Sequence, residues 1–354
     1  MPSSSLKLRS ILNNPSSLDL TRTWIPLDER PDPTLFVYDS ELAKQILRAP
    51  TVQTYNLVTY WKIVSGINGE TLTAIETLFA RTPMFQHGHA HTHTRKRLLT
   101  LYNDVESQLN LWLPDFCATF FSQAEVERQK NPEEFVGQFL ESLIRAILAH
   151  HLDCSSASLP DFPKSIFRML VRANNLREYD RHLAELAATA ERMLQKSGQD
   201  PEMVWILMSI SVMGREPLFG TLLYSILTKP SASVGWDANT LIHHSASVSI
   251  LGREVIADCN IQDLSLKKGQ LVHICPFLIH LRDASLKRSM AVAEGAGPSS
   301  FSFGFGSHLC PGRKISLKIA QHFLDQMALR SGLVFDTSGL RMTRDFTLAP
   351  AAQT

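Results

Sequence analysis

Read for the spacing of its apolar residues, the chain carries two patterns, and the helical one dominates. Leu35-Phe36-Val37-Tyr38 is a short unbroken apolar run, the length of a buried strand. Asp39-Ser40 follow it as a cap for a helix that places Leu42, Ile46 and Leu47 on one face. Helical spacing predicts further helices over 89–102, 104–122, 133–152, 162–175 and 177–197. The longest apolar run, Met203 to Leu227, has a clear start. Asp200 serves as N-cap, Pro201 suits the first turn and Glu202 meets the positive helix end. It is predicted to continue as one helix to Lys229, before Pro230.

Beyond that helix the period shortens. Ser245 to Ile274 reads as short strands joined by turns, one of them Lys267-Lys268-Gly269-Gln270. Arg313 to Arg330 restores a strong helical stripe through Ile315, Ile319, Ala320, Phe323, Leu324 and Met327, with Gly332 as its stop. Leu333–Phe335 and Leu340–Thr343 are predicted to pair as a terminal hairpin. The pattern is that of a mainly α protein, a helical bundle with small β-sheets. No repeat, linker or composition shift divides residues 1–354, which reads as a single domain.

Composition removes several classes of function. Lys+Arg number 35 against 34 Asp+Glu, a net charge of +1, so no global field favours nucleic acid. The five cysteines are odd in number and without CxxC spacing, which argues against a disulfide scaffold or structural zinc site and for a reducing, cytoplasmic setting. The Ser-rich start has no apolar core of a secretory signal. Gly214, Arg215, Glu216 and Pro217 interrupt the Met203–Leu227 run, so it reads as a buried helix and not as a membrane span.

The candidate chemistry lies in Phe301-Ser302-Phe303-Gly304-Phe305-Gly306-Ser307-His308-Leu309-Cys310-Pro311-Gly312. Cys310 stands just before an amphipathic helix, where unpaired N–H groups and the positive helix end favour thiolate over thiol. Glycines there let a flat cofactor approach the backbone, and Phe303 shields the sulfur. His87, His89, His91 and His93 alternate, and in a strand they would share a face open to a transition metal.

Phe303, Gly306, His308, Cys310 and Gly312 match F-x-x-G-x-[RH]-x-C-x-G, and the segment resembles the haem-binding loop of the cytochrome P-450 family. His93-Thr94-Arg95-Lys96-Arg97 resembles the family's H-T-R-x-R element, Arg253 its strand arginine, and His280-Leu281-Arg282-Asp283 its A-x-R-D segment. The resemblance implies a cytochrome P-450-like fold and haem b with Cys310 as axial thiolate. It also implies His93, Arg97, Arg253 and His308 as propionate anchors, with Phe303 and Gly312 against the cofactor. The N-terminus is shorter than is usual in the family.

Two departures bear on mechanism. Where the family carries A-G-x-[DE]-T, this chain has Met213-Gly214-Arg215-Glu216-Pro217-Leu218. The acid persists as Glu216, the expected proton-handling residue, but proline replaces threonine. A proline inside a helix costs about 3 kcal/mol, so a kink is expected at Pro217. The family's E-x-x-R is also missing. Counting back from Arg253 leaves His243 or His244, with Asn239 or Thr240, as a neutral substitute.

The resemblance implies an enzyme that inserts oxygen into a small apolar molecule of secondary metabolism, with a ferredoxin or flavodoxin as electron donor. Arg95, Lys96, Arg313, Lys314 and Lys318 form either a docking patch for that donor or a solvated face. Substrate contacts are expected around Tyr60–Phe85, Met208–Leu218, Ser247–Leu251 and Ala349–Ala351, with Arg215 facing an acidic group. Two alternatives remain: hydrogen peroxide as oxidant or a redox-neutral rearrangement, with Glu216 as the carboxylate; and a non-catalytic haem-binding protein.

Overall fold

The computed structural model describes residues 2–55, 62–63, 66, 69, 71–125, 131–159, 176–196, 198–228, 236–285, 301–330, 333–344 and 347–350. The helix predicted over 162–175, the stop at Gly332, and Tyr60, Trp61 and Ala351 lie outside the described residues. The chain forms two compact units, each built from separate stretches of sequence: Met1–Tyr55 with Leu227–Cys310 and Ser338–Thr354, and Asn56–Ile226 with Pro311–Thr337. Because each unit is discontinuous, no linker marks it in the sequence.

The first unit holds helices α1 (Pro2–Asn13), α2 (Ser40–Arg48), α9 (Ala238–Ser245) and α10 (Pro276–Ser285). Its strands are β1 (Trp24–Pro26), β2 (Leu35–Val37), β3 (Val52–Thr54), β4 (Leu251–Val255), β5 (Cys259–Ile261), β6 (Leu264–Leu266), β7 (Leu271–Ile274), β8 (Met342–Arg344) and β9 (Leu348–Pro350). Five of them form one sheet in the order β1-β2-β7-β4-β3, antiparallel except for the β2–β7 pair. Strand β2 is the predicted apolar run, buried along its whole length. Asp39 caps α2, accepting from the Leu42 N–H at 2.8 Å, and its second oxygen takes the Arg282 guanidinium at 2.5 Å. Both side chains are buried, and pairing satisfies each charge. The turn after β6 needs Gly269, whose φ is +84°. The terminal hairpin joins β8 to β9 and does not pair the predicted Leu333–Phe335 with Leu340–Thr343.

The second unit is helical: α3 (Thr73–Arg81), α4 (Gly88–Glu125), α5 (Pro132–His151), α6 (Leu176–Lys196), α7 (Met203–Met213), most of α8 (Arg215–Thr228), and α11 (Arg313–Leu329). Its core includes Phe121, Phe135, Phe139 and Phe323, whose ring centroids stand 5.2–6.2 Å apart. Helix α11 packs along α4, and the buried stripe Ile315, Ile319, Ala320, Phe323, Leu324 is the predicted one. The two helices predicted over 89–102 and 104–122 are one helix, α4, which passes through Pro114. The contact with α11 outweighs the local cost. Arg330 donates to Ala118 O and Ser122 Oγ just beyond the proline, and Phe121 packs on Phe323.

The single helix predicted from Met203 onward is two. It breaks at Gly214, between α7 and α8, and not at Pro217. The proline is the third residue of α8. There an N–H has no partner within the helix, so Pro217 costs little.

Candidate functional site

The Cys310 loop of the first unit is set by short hydrogen bonds. Phe301–Phe303 and Gly306–His308 each form one 3₁₀ turn. The Cys310 N–H donates to Phe303 O at 2.7 Å, and the Gly304 N–H donates to Phe301 O at 2.8 Å. Gly304 and Gly306 have φ of +76° and +69°, and a Cβ on Gly304 would stand 3.2 Å from His308 O. These two glycines are therefore required by the backbone. Phe303, His308 and Cys310 are half-buried. Gly312 is buried and has an ordinary φ of −81°; its carbonyl accepts from the Ser316 N–H at 2.9 Å as α11 begins.

Behind that loop a network of neutral rings stands where the sequence lacks E-x-x-R. The His243 and His280 rings stack at 4.0 Å and 20°. The Phe301 N–H donates to His280 Nε2 at 3.2 Å, so Nε2 carries no proton; Nδ1 then donates to His243 O at 3.0 Å. Ser302 Oγ donates to Ile242 O at 3.1 Å. Arg344, from β8, donates to Ser245 O at 2.6 Å and Ala246 O at 2.9 Å while its guanidinium lies 3.9 Å above the Phe277 ring. The last turn of α9 thus has its orphan carbonyls taken by side chains from three other segments. The partner of His243 is His280, in place of the expected Asn239 or Thr240. His244 stacks instead on Trp236. Burial and the neighbouring ring hold His280 down to about 3, and burial lowers His243 too.

Arg253 sits on β4 and is 7% exposed. Its one hydrogen bond among the described residues is to the carbonyl of Gly252, at 2.7 Å, and no described carboxylate lies within ion-pair distance. Burial pushes its guanidinium down to about 10. A buried cation without a counter-charge is costly, and the arrangement fits an anionic ligand such as a haem carboxylate. Tyr55 packs on the Cα of Gly252 so closely that any Cβ there would stand 2.3 Å from its ring, and it meets His273 edge-on at 5.8 Å.

In the second unit, His93 lies on the exposed side of α4 and stacks on His89 at 6.3 Å. The histidine run is helical from Gly88, so alternate residues are rotated by about 200° and do not line one face. Arg97, one turn after His93, is held by Asp200 and by Glu202 at 3.2 Å; Glu202 also meets Arg81 at 3.8 Å. Asp200 therefore serves both the turn before α7, where it accepts from the Glu202 N–H at 2.9 Å, and an ion pair the sequence did not reveal. Glu216 is 3% exposed and is the second residue of α8. Of the predicted basic patch, Lys318 and Lys314 face Glu106 at 2.9 and 3.8 Å. Phe79 and Phe85 pack together at 4.8 Å.

Sequence reasoning missed His280 as a brace, Arg344 as a cap, and Tyr55. Their roles depend on contacts between residues far apart in sequence. Only His280 carried a signal, by standing where the A-x-R-D pattern expects alanine.

No family model matches the sequence, and no match is found among curated proteins. Solved structures do resemble the fold. P450 BioI in complex with hexadec-9Z-enoic acid ligated acyl carrier protein has a TM-score of 0.69 at 14% identity, over 96% of this chain and 98% of that one. HmtN, a post-tailoring hydroxylase involved in himastatin biosynthesis, gives 0.67 at 14% identity over 96% of each chain. The Bacillus subtilis 168 bacillaene polyketide synthase cytochrome P450 PksS gives 0.65 at 12%, over 97% and 95%. The chain has the cytochrome P450 fold. Among the described residues no helix is long and apolar enough to cross a membrane.

Proposed function

We propose that the chain is a haem-thiolate oxidoreductase of the cytochrome P450 family, a monooxygenase that oxidises an apolar small molecule in secondary metabolism. The observation that carries this reading is the Cys310 loop. Its ordered F-x-x-G-x-H-x-C-x-G residues are closed by the Cys310 N–H to Phe303 O bond, in a chain with this fold. Structural neighbours that act on himastatin and bacillaene pathways support the metabolic setting.

Haem b held by the Cys310 thiolate would supply oxygen activation, the chemistry that a thiolate ligand favours. The residues of this chain do the rest. Cys310 is the ligand, and Phe303 excludes water from its sulfur. Arg253 would hold a propionate, which would bring the counter-charge its buried site lacks, and His308 would be a second donor to it. His93 and Arg97 carry the same assignment from their motif, and Arg97 is also held by Asp200 and Glu202. Gly312 starts α11 beside the ligand. Glu216 holds and moves a proton at its carboxylate, whether the oxidant is oxygen with electrons or hydrogen peroxide. Electrons come from a ferredoxin or flavodoxin. The docking charges are Arg95, Lys96, Arg313, Lys314 and Lys318, of which Lys314 and Lys318 also face Glu106.

The missing threonine and missing E-x-x-R give the non-catalytic haem-binding reading its support. Turnover of a substrate panel with reduced ferredoxin, compared with hydrogen peroxide, tests the choice. Activity with either, reduced at least tenfold in Glu216→Gln, supports the enzyme. Inactivity with both while haem stays bound would establish the non-catalytic reading.

A further inference from the structure

In the first unit, the Phe301–Phe303 turn at the head of the Cys310 loop meets His280, and the contact leaves that ring no place for a second proton. His280 lies on α10 and is 8% exposed. Its Nε2 accepts the Phe301 N–H at 3.2 Å, its Nδ1 donates to His243 O at 3.0 Å, and its face stacks on the His243 ring at 4.0 Å. A neutral imidazole has one lone pair and one N–H, and here both are committed. A proton at Nε2 would set donor against donor at the Phe301 N–H. The charged or titratable groups that act on the ring are His243 and His244 from α9 and Arg344 from β8, and all three disfavour a positive charge there. The Phe301–Phe303 turn brings no titratable side chain. On α10 itself, Arg282 is paired with Asp39, and Asp283 accepts from Ser40 Oγ at 3.5 Å.

Phe301 is the first link of the loop. Its carbonyl accepts the Gly304 N–H at 2.8 Å, and Phe303, two residues on, accepts the Cys310 N–H at 2.7 Å. Phe301 is 3% exposed, so its N–H has no ready replacement for the His280 acceptor. The other side-chain tie from this turn to α9 is Ser302 Oγ to Ile242 O at 3.1 Å, a hydroxyl that does not titrate near neutral pH. Burial, more than any neighbour, holds His280 down to about 3, so a proton enters only as the ring gives up its site. We propose that His280 is a positioning residue for the Cys310 loop, and that a proton taken from solvent at its Nε2 frees the loop and the haem it holds. Release of the loop follows from these contacts; release of haem rests on the haem-thiolate reading. The hold is complete above the ordinary histidine value and is lost as pH falls below it.

The test is hydrogen exchange on the haem-loaded full chain, read by mass spectrometry and corrected for the intrinsic pH dependence of amide exchange. Protection over 301–309 should fall roughly thirtyfold from pH 7.5 to 5, as expected when one histidine regains its ordinary pKa on release. At pH 5 this segment should exchange at least about tenfold faster than the strands over 251–274. His280→Gln keeps an acceptor and a donor without the titration, and should hold the change to about threefold or less. His243→Phe keeps the backbone carbonyl and a stacked ring, and should retain the wild-type slope. Haem transfer to apomyoglobin should quicken over the same range at least about fivefold more in the wild type than in His280→Gln. A wild-type fall below about threefold would overturn the proposal whatever the variants do. So would loop and strands exchanging at one rate, which marks unfolding of the whole unit. An unchanged slope in His280→Gln would pass the proton to another group. Loop release without faster haem transfer would overturn the positioning role. A chain that takes up no haem fails the haem reading, while the exchange still decides the loop.

Discussion

The end of α9 and the start of α8 treat buried polar groups differently. At α9, the carbonyls of Ile242, His243, Ser245 and Ala246 are each taken by a side chain, from Ser302, His280 and Arg344. The Arg215 Nε–H at the start of α8 is buried without an acceptor among the described residues. What α9 has paired is its backbone carbonyls, while the ring Nδ1 of His243 has no partner among the described residues; paired carbonyls rigidify a helix end. The paired carbonyls give the first region, behind the Cys310 loop, a bracing role that the start of α8 lacks. Substitutions should therefore separate the two. Changes around α9 should unfold the protein, and changes around the start of α8 should leave it folded.

The largest effect is expected at His280. His280→Ala removes a buried donor and acceptor together and leaves the Phe301 N–H and His243 O unsatisfied. At about 1–3 kcal/mol for each group, a loss of about 3 kcal/mol is expected in urea denaturation. A loss below about 1 kcal/mol would show that the histidine stack does not stand in for the missing ion pair. Gly304→Ala comes next. Its positive φ and the 3.2 Å approach to His308 O predict a loss of about 1–2 kcal/mol, with weaker haem retention in a competition assay.

A pH series sharpens the same contrast. His280 and His243 have folded pKa values below the ordinary histidine value, so between these limits the unfolded chain binds more protons. Their contribution is fully present above about pH 7. For His280 it is lost as pH falls from about 6.5 toward 3, by about 1.4 kcal/mol per unit, and for His243 it is lost in the same direction. His273, held near 4 by burial, adds to this loss, as do His91 and His151. His280→Gln should flatten the slope measured in denaturant series from pH 8 to 5. An unchanged slope would remove His280 from the brace. The smallest effect is at Pro217. Pro217→Ala should change stability by less than about 1 kcal/mol and leave far-UV circular dichroism unaltered, because the break belongs to Gly214. A gain near 3 kcal/mol would return the kink to the proline.

What the sequence made legible was local. The Asp39 cap, the Gly269 turn, the stripe of α11 and the Cys310 loop each depend on residues within a few positions, so spacing alone announces them. The errors came where distant contacts overrule local preference. Packing against α11 carries α4 through Pro114, and a proline three residues into a helix costs nothing that an internal proline would cost. The hairpin partner of Met342–Arg344 was misplaced because short strands are chosen by tertiary neighbours, here the bridge from Thr347 to Val248. At the candidate site, Cys310 was readable from its motif. The engagement of Arg97 by Asp200 and Glu202, and the service of Arg344 to α9 from about 100 residues away, were not. Such pairings have no signature in spacing, because folding alone brings them together.

The central claim is a sulfur–iron bond at Cys310, and the absorption spectrum of the reduced protein under carbon monoxide tests it most directly. The wild-type chain should show the long-wavelength band of thiolate ligation, and Cys310→Ala should lose it while its circular dichroism is retained. A protein that takes up no haem, or one whose band is unchanged by Cys310→Ala, would contradict the account.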